Sequence, residues 1–253
     1  MTALFLLREY DPIYTEGMKK LYEKSEISFA VVQILIYVFG SSFFDSISPE
    51  MVSKAFTFPF LAVFGLWMYW FISENHLKGY YGFQKSPFDR KHFLYWIPMF
   101  VIFSVNLWHG VCLNVTGLQL FIYCGYMVCV SFAEETVFRG FLFQAMAKDG
   151  IISALLVSSV TFGLGHIYNF LNGSADLLPT LLQMGYAMSV GLLFAVIVWK
   201  GKTIVPAILA HTANNVLSVF ANEAVITTEA RLFSAAALCM LSLAYAWYIF
   251  KNV

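Results

Sequence analysis

The sequence predicts an all-α fold, a polytopic membrane helix bundle of about eight transmembrane helices with both termini cytoplasmic. Three observations predict it. Of 253 residues, 60% are hydrophobic and 12% charged, and the mean hydropathy is +0.72, whereas ordinary soluble domains carry roughly 25% charged residues. Largely uncharged stretches of about 17–25 residues recur along the chain, each long enough to cross a ~30 Å hydrocarbon core as a helix. The bases cluster in alternate loops, as the positive-inside rule requires of a multi-span protein. A transmembrane β-barrel would show segments of strict alternation. Runs such as Ile151-Ile152-Ser153-Ala154-Leu155-Leu156-Val157 are apolar on both faces instead.

Taken in order, residues 1–26 form a charged and aromatic segment. Leu4-Phe5-Leu6-Leu7 is too short for a signal-peptide core and is followed at once by Arg8-Glu9, so this part reads as cytoplasmic or interfacial. A single membrane domain over 27–253 follows, with no linker and no internal repeat. Its expected spans are 27–44, 55–73, 93–113, 118–147, 151–168, 177–199, 203–221 and 231–250. The fourth is too long for one straight crossing. With a cytoplasmic N-terminus, the inside segments hold Arg8, Lys19, Lys20, Lys24, Lys78, Lys85, Arg90, Lys91, Lys148, Lys200, Lys202 and Lys251. The outside segments hold only Lys54 and Arg231, and Arg139 lies within a span.

Other classes find little support. No basic patch with interleaved aromatics suggests nucleic acid. Cys112, Cys124, Cys129 and Cys239 all fall in expected spans without CxxC spacing and read as buried apolar-like residues. His76, His92 and His109 lie at loops or span ends and read as unpartnered. Asn106 and Gln183 are intramembrane polar residues with no role assigned.

Polar groups inside spans carry the functional information, because an ionisable side chain at helix centre costs on the order of 3 kcal/mol. In the fourth span, Ser131-Phe132-Ala133-Glu134-Glu135-Thr136-Val137-Phe138-Arg139-Gly140 lies between apolar flanks. Glu135 and Arg139 are at i,i+4 and share a face, so they can pair. Glu134 points about 100° away and has no partner in its own helix, which suits a general base. The fifth span ends in Phe162-Gly163-Leu164-Gly165-His166, whose glycines permit close helix approach. The seventh carries His211-Thr212-Ala213-Asn214-Asn215, with His211 and Asn215 one turn apart. At ~1.5 Å of rise per residue, Glu134, His166, His211 and Asn215 lie about 21, 24, 13 and 20 Å from the cytoplasmic loops. One slab therefore holds them all. A structural Glu–Arg clip, a packing histidine and a packing asparagine each explain one residue; a shared site explains all of them.

These motifs, Glu-Glu-x-x-x-Arg (134–139), Phe-x-x-x-His (162–166) and His-x-x-x-Asn (211–215), resemble those of the CPBP family of intramembrane proteases, which includes CAAX prenyl endopeptidases and the Abi proteins. The resemblance implies that 27–253 is an eight-helix glutamic-type protease domain. It implies that Glu134 acts with His166 to activate a water, that His211 and Asn215 stabilise the oxyanion, and that Arg139 with Glu135 positions the motif helix. It further implies a multi-pass protein of the cell membrane, most naturally a prokaryotic plasma membrane, acting on a membrane-embedded or lipid-anchored peptide, without a cofactor. Zinc is the alternative, because two His and a Glu can hold a catalytic ion, but His-Glu-x-x-His spacing is missing. A proton-coupled transporter and a non-catalytic scaffold are the other readings open to the same residues.

Overall fold

The computed structural model describes residues 12–49, 52–84 and 97–253. Arg8, Lys85, Arg90, Lys91, His92 and the first residues of the expected span 93–113 lie outside these segments. The described chain is helical: α1 (Pro12–Lys24), α2 (Glu26–Ile47), α3 (Thr57–Glu74), α4 (Ile97–Phe103), α5 (Gly117–Glu135), α6 (Phe143–Ala147), α7 (Ile151–Gly165), α8 (Ile167–Leu171), α9 (Leu177–Gly201), α10 (Val205–Ser218) and α11 (Thr228–Asn252). Among the described residues, five stretches are long and apolar enough to cross a membrane: Glu26–Ile47, Gly117–Ala147, Ile151–Leu171, Leu177–Gly201 and Thr228–Asn252.

Local chemistry sets the helix starts. Ser25 caps α2 by accepting from the Ser28 N–H at 3.1 Å, and Thr227 caps α11 by accepting from the Ala230 N–H at 3.2 Å. Each cap is followed by an acidic residue in the first turn, Glu26 and Glu229, where the helix dipole favours negative charge. Pro206 sits in the first turn of α10, where its missing N–H costs nothing.

The expected span 93–113 differs most. Helix α4 passes into a 3-10 turn over Ser104–Leu107 and ends. The chain then runs to α5 without helix: Gly110 has φ +101, and Val111 makes a single antiparallel bridge to Ala221. The Cys112 N–H donates to the Phe220 carbonyl at 3.0 Å, and the Asn114 side chain serves the facing segment, donating to the Val219 and Ala221 carbonyls. Cys112 is consequently exposed rather than buried in a span, while all four cysteines are free as read from the sequence. His109 also gains a partner the sequence did not show, Ser234 Oγ at 2.9 Å. The expected span 203–221 likewise contracts to the 14 residues of α10.

The long stretch 118–147 is helical but not uniformly α-helical. Between α5 and α6, residues Thr136–Leu142 form a π-helical segment, in which one extra residue is accommodated per turn. That widening begins directly after Glu134-Glu135.

The bundle has two distinct ends. At one, Lys148 pairs with Glu26 at 2.8 Å, Tyr80 donates to Glu26, and Thr203 donates to the Gly82 and Gln84 carbonyls. Lys78, Lys148, Lys200, Lys202 and Lys251 therefore lie together. At the other end are the turn 172–176, the paired segments around 111 and 221, and the 52–56 turn with Lys54. The loop alternation read from charge thus matches a physical separation.

Candidate active site

Six helical segments meet around the paired glutamates. Glu134 and Glu135 end α5; Glu134 is 9% exposed and Glu135 fully buried. Two adjacent residues on a helix point about 100° apart, and the surroundings divide accordingly.

Glu135 is the structural member. Arg139 Nη1 donates to its Oε1 at 3.1 Å, and both side chains are 0% exposed, the i,i+4 pair read from the sequence. His211 Nδ1 lies 2.8 Å from the same oxygen. The guanidinium is held between rings, with its Cζ 4.1 Å from the Phe162 centroid and 5.8 Å from that of Phe194. A desolvated cation over an aromatic face gains about 2 kcal/mol, which offsets part of the cost of burial. Space for it depends on Gly191, because a Cβ there would stand 2.9 Å from Arg139 Nη2. Even so, Glu135 Oε2, Thr136 Oγ1, Arg139 Nε and Arg139 Nη2 are buried with no hydrogen-bond partner among the described residues.

Glu134 faces a different set. Tyr37, halfway along α2, donates its hydroxyl to Glu134 Oε1 at 2.5 Å. His211 Nε2 lies 3.5 Å from Glu134 Oε2. The His211 ring therefore spans both carboxylates, one nitrogen to each. With Nδ1 engaged by Glu135, Nε2 is the atom facing Glu134, a base–orienter arrangement of the kind that recurs in hydrolytic sites.

The remaining expected residues lie close by but bond elsewhere. His166 caps α7 where the helix breaks into α8. It makes no hydrogen bond to either glutamate among the described residues. Its ring instead meets Phe162 edge-on at 5.5 Å, and Phe162 meets His211 at 5.8 Å. Phe162 is thus the hub, with the cation on its face and an imidazole on either side. Asn215 Nδ2 donates to Ser131 Oγ at 3.1 Å, one turn before Glu134. Of the two motif glycines, Gly163 permits close approach of α9, because a Cβ would lie 2.8 Å from the Met184 carbonyl oxygen. Gly165 has open space around it.

Tyr37 is the residue sequence reasoning missed. The available signal was the i,i+4 series Tyr37, Ser41, Asp45 along α2. Asn106 and Gln183 also have explanations now, since Asn106 Nδ2 donates to the Asn214 carbonyl at 2.8 Å and Asn169 Nδ2 to Gln183 Oε1 at 2.9 Å.

Residues 116–217 match the family described as type II CAAX prenyl endopeptidase Rce1-like. The match agrees with the CPBP resemblance read from the three motifs, and covers less than half of the chain. The matched segment contains Glu134, Glu135, Arg139, His166, His211 and Asn215, whereas Tyr37 lies outside it. No curated protein and no solved structure matches the chain.

The zinc alternative meets a geometric test. Among the described residues, no three His, Cys, Asp or Glu side chains converge as a metal site requires. Glu135 Oε1 is already shared by Arg139 and His211. No step below passes through a metal.

Proposed function

We propose that the protein is an intramembrane endopeptidase of the CAAX-protease type, hydrolysing a peptide bond of a membrane-associated substrate with Glu134 as general base. The observation that carries this reading is the bracketing of Glu134: Tyr37 fixes Oε1 at 2.5 Å, while Oε2 faces His211 Nε2 at 3.5 Å. A base must be held in place before it can take a proton efficiently.

In the proposed reaction, Glu134 takes a proton from water, and the hydroxide attacks the peptide carbonyl. His211, oriented by Glu135, presents Nε2–H to the oxyanion, and the Asn215 amide supplies a second donor. His166 shares the water with Glu134. Glu134 then returns the proton to the leaving amine, which closes the balance. Arg139 holds Glu135 and adds a fixed positive charge in a dry site, where electrostatic effects are strong.

We further place the lysine-rich end in the cytoplasm. Counting α3 and the shorter α4 and α10 with the five long helices gives eight crossings, with both termini cytoplasmic and residues 27–253 as one protease domain of a prokaryotic plasma membrane.

The decisive experiment is cleavage of a farnesylated CAAX peptide, and of an unprenylated membrane-anchored peptide, by purified protein in liposomes. Glu134→Gln should lower kcat by about 10²–10⁴ with the thermal midpoint unchanged. Undiminished cleavage by a folded Glu134→Gln protein sinks the mechanism. Metal analysis and chelator treatment of the same preparation test the metal-free reading, and loss of cleavage on chelation, restored by zinc, overturns it.

A further inference from the structure

Two directions lead away from Glu134, and they differ in chemistry. Toward the lysine-rich end the space is filled by rings. Phe29 of α2 stacks on Phe71 at 5.0 Å and meets Phe141 edge-on at 5.0 Å, and Tyr81 meets Phe141 at 5.0 Å. Phe29, Ala30, Gln33, Ala133 and Val137 are all 0% exposed. Among the described residues, the polar side chain in this layer is Gln33, whose Nε2 faces Met18 Sδ at 3.7 Å and whose Oε1 is buried without a partner.

Toward the opposite end, α2 is polar on one side. Tyr37, Ser41, Ser42 and Asp45 fall within an arc of about 140° at 100° per residue. Tyr37 holds Glu134. Ser41 Oγ is buried without a partner, although buried hydroxyls ordinarily find one, often water. The Ser42 and Tyr168 hydroxyls bond across to α8. Asp45 accepts from Thr57 and pairs with Lys54 Nζ at 2.6 Å, and that ammonium lies 5.2 Å from the Tyr126 ring. Unlike the residues of the ring layer, Tyr37, Ser41, Ser42, Asp45, Tyr126 and Tyr168 are all partly exposed.

We infer that water and the peptide substrate reach Glu134 from the Lys54 end of the bundle, along this face of α2, and not from the lysine-rich end. The inference rests on the reading of Glu134 as the hydrolytic base. From Tyr37 to Asp45 is eight residues, or about 12 Å of helix. An extended chain covers that distance in about four residues. The substrate is therefore a short extended segment, a chain terminus or a juxtamembrane stretch, presented at the face that carries Lys54. With the lysine-rich end cytoplasmic, that face is the extracytoplasmic one. The Ser42–Tyr168 hydroxyl pair then stands beside the route, and the Asp45–Lys54 pair marks its rim.

Cysteine labelling in the full-length protein tests the route. In a background with Cys112, Cys124, Cys129 and Cys239 replaced by serine, Ser41→Cys, Ser42→Cys and Ala30→Cys are exposed to a membrane-impermeant charged thiol reagent in sealed right-side-out and inverted vesicles. Lys54→Cys and Lys148→Cys report which face each preparation presents. The expected result is labelling of Ser41→Cys at least tenfold faster from the face that labels Lys54→Cys, with Ala30→Cys inert from both. Faster labelling from the Lys148 face, or labelling of Ser41→Cys from neither face, overturns the route. If Ser41→Cys fails to fold, Ser42→Cys carries the same comparison. Labelling needs no proteolysis, so a protein that labels as expected but cleaves neither test peptide retains the route and loses the hydrolytic reading.

Discussion

The two halves of the bundle on either side of Glu134 use the same kinds of helix for opposite purposes. The half toward Lys148 is sealed by stacked and edge-on rings around Phe29, Phe71, Phe141 and Tyr81. The half toward Lys54 carries hydroxyls, a carboxylate and an ammonium along α2 and its neighbours. The glutamate pair lies at the boundary, and its two members face different surroundings. Glu135 is fully buried with Arg139, which packs on Phe162 and Phe194, whereas Glu134 keeps 9% of its surface open and takes its partners from α2 and α10. Identical residues, adjacent in sequence, thus acquire separate roles from where their helix points them.

Substitutions that break this contrast should have graded effects. Arg139→Met should be the most damaging, because it strands Glu135 as an uncompensated buried charge; breaking such a pair costs about 3–5 kcal/mol. Unfolding in detergent and cleavage should both be impaired, and a wild-type unfolding midpoint would contradict the role of the pair. Phe29→Ala should open the sealed half, at a cost of roughly 3 kcal/mol from the cavity left among the rings, measured in the same way. Tyr37→Phe keeps the ring and removes one hydrogen bond to a charged group, worth about 1.5–3 kcal/mol. That corresponds to roughly tenfold to a hundredfold in kcat, with KM and the unfolding midpoint near wild type; a change confined to KM would assign Tyr37 to substrate binding instead. Asp45→Asn should be smallest, at most about 1 kcal/mol in stability, because its pair with Lys54 is partly exposed.

Much of the fold and of the site was legible from residue types alone. Bilayer solvation leaves helices as the answer to long apolar runs, and five of the expected spans became helices long enough to cross. The Glu135–Arg139 pair followed from i,i+4 spacing, and the separation of lysines between ends followed from loop charge. The end of the span expected over 93–113 was not legible, because its apolar composition concealed a helix that stops at Leu107 and a following backbone that pairs with the segment around 220. Hydropathy registers how apolar a stretch is; it does not register which carbonyls find donors.

What the sequence by itself determined is a set of polar groups that share one slab: Glu134, Glu135, Arg139, His166, His211 and Asn215 lie roughly 13–24 Å from the lysine-bearing loops because rise per residue is fixed. Only the tertiary structure decided how they pair. It put His211 between the two carboxylates, turned Asn215 to Ser131, set Phe162 between the histidines, and brought in Tyr37 from a helix 97 residues away in the chain. Depth is a property of one helix in its bilayer, whereas partners depend on rotation and contact between helices.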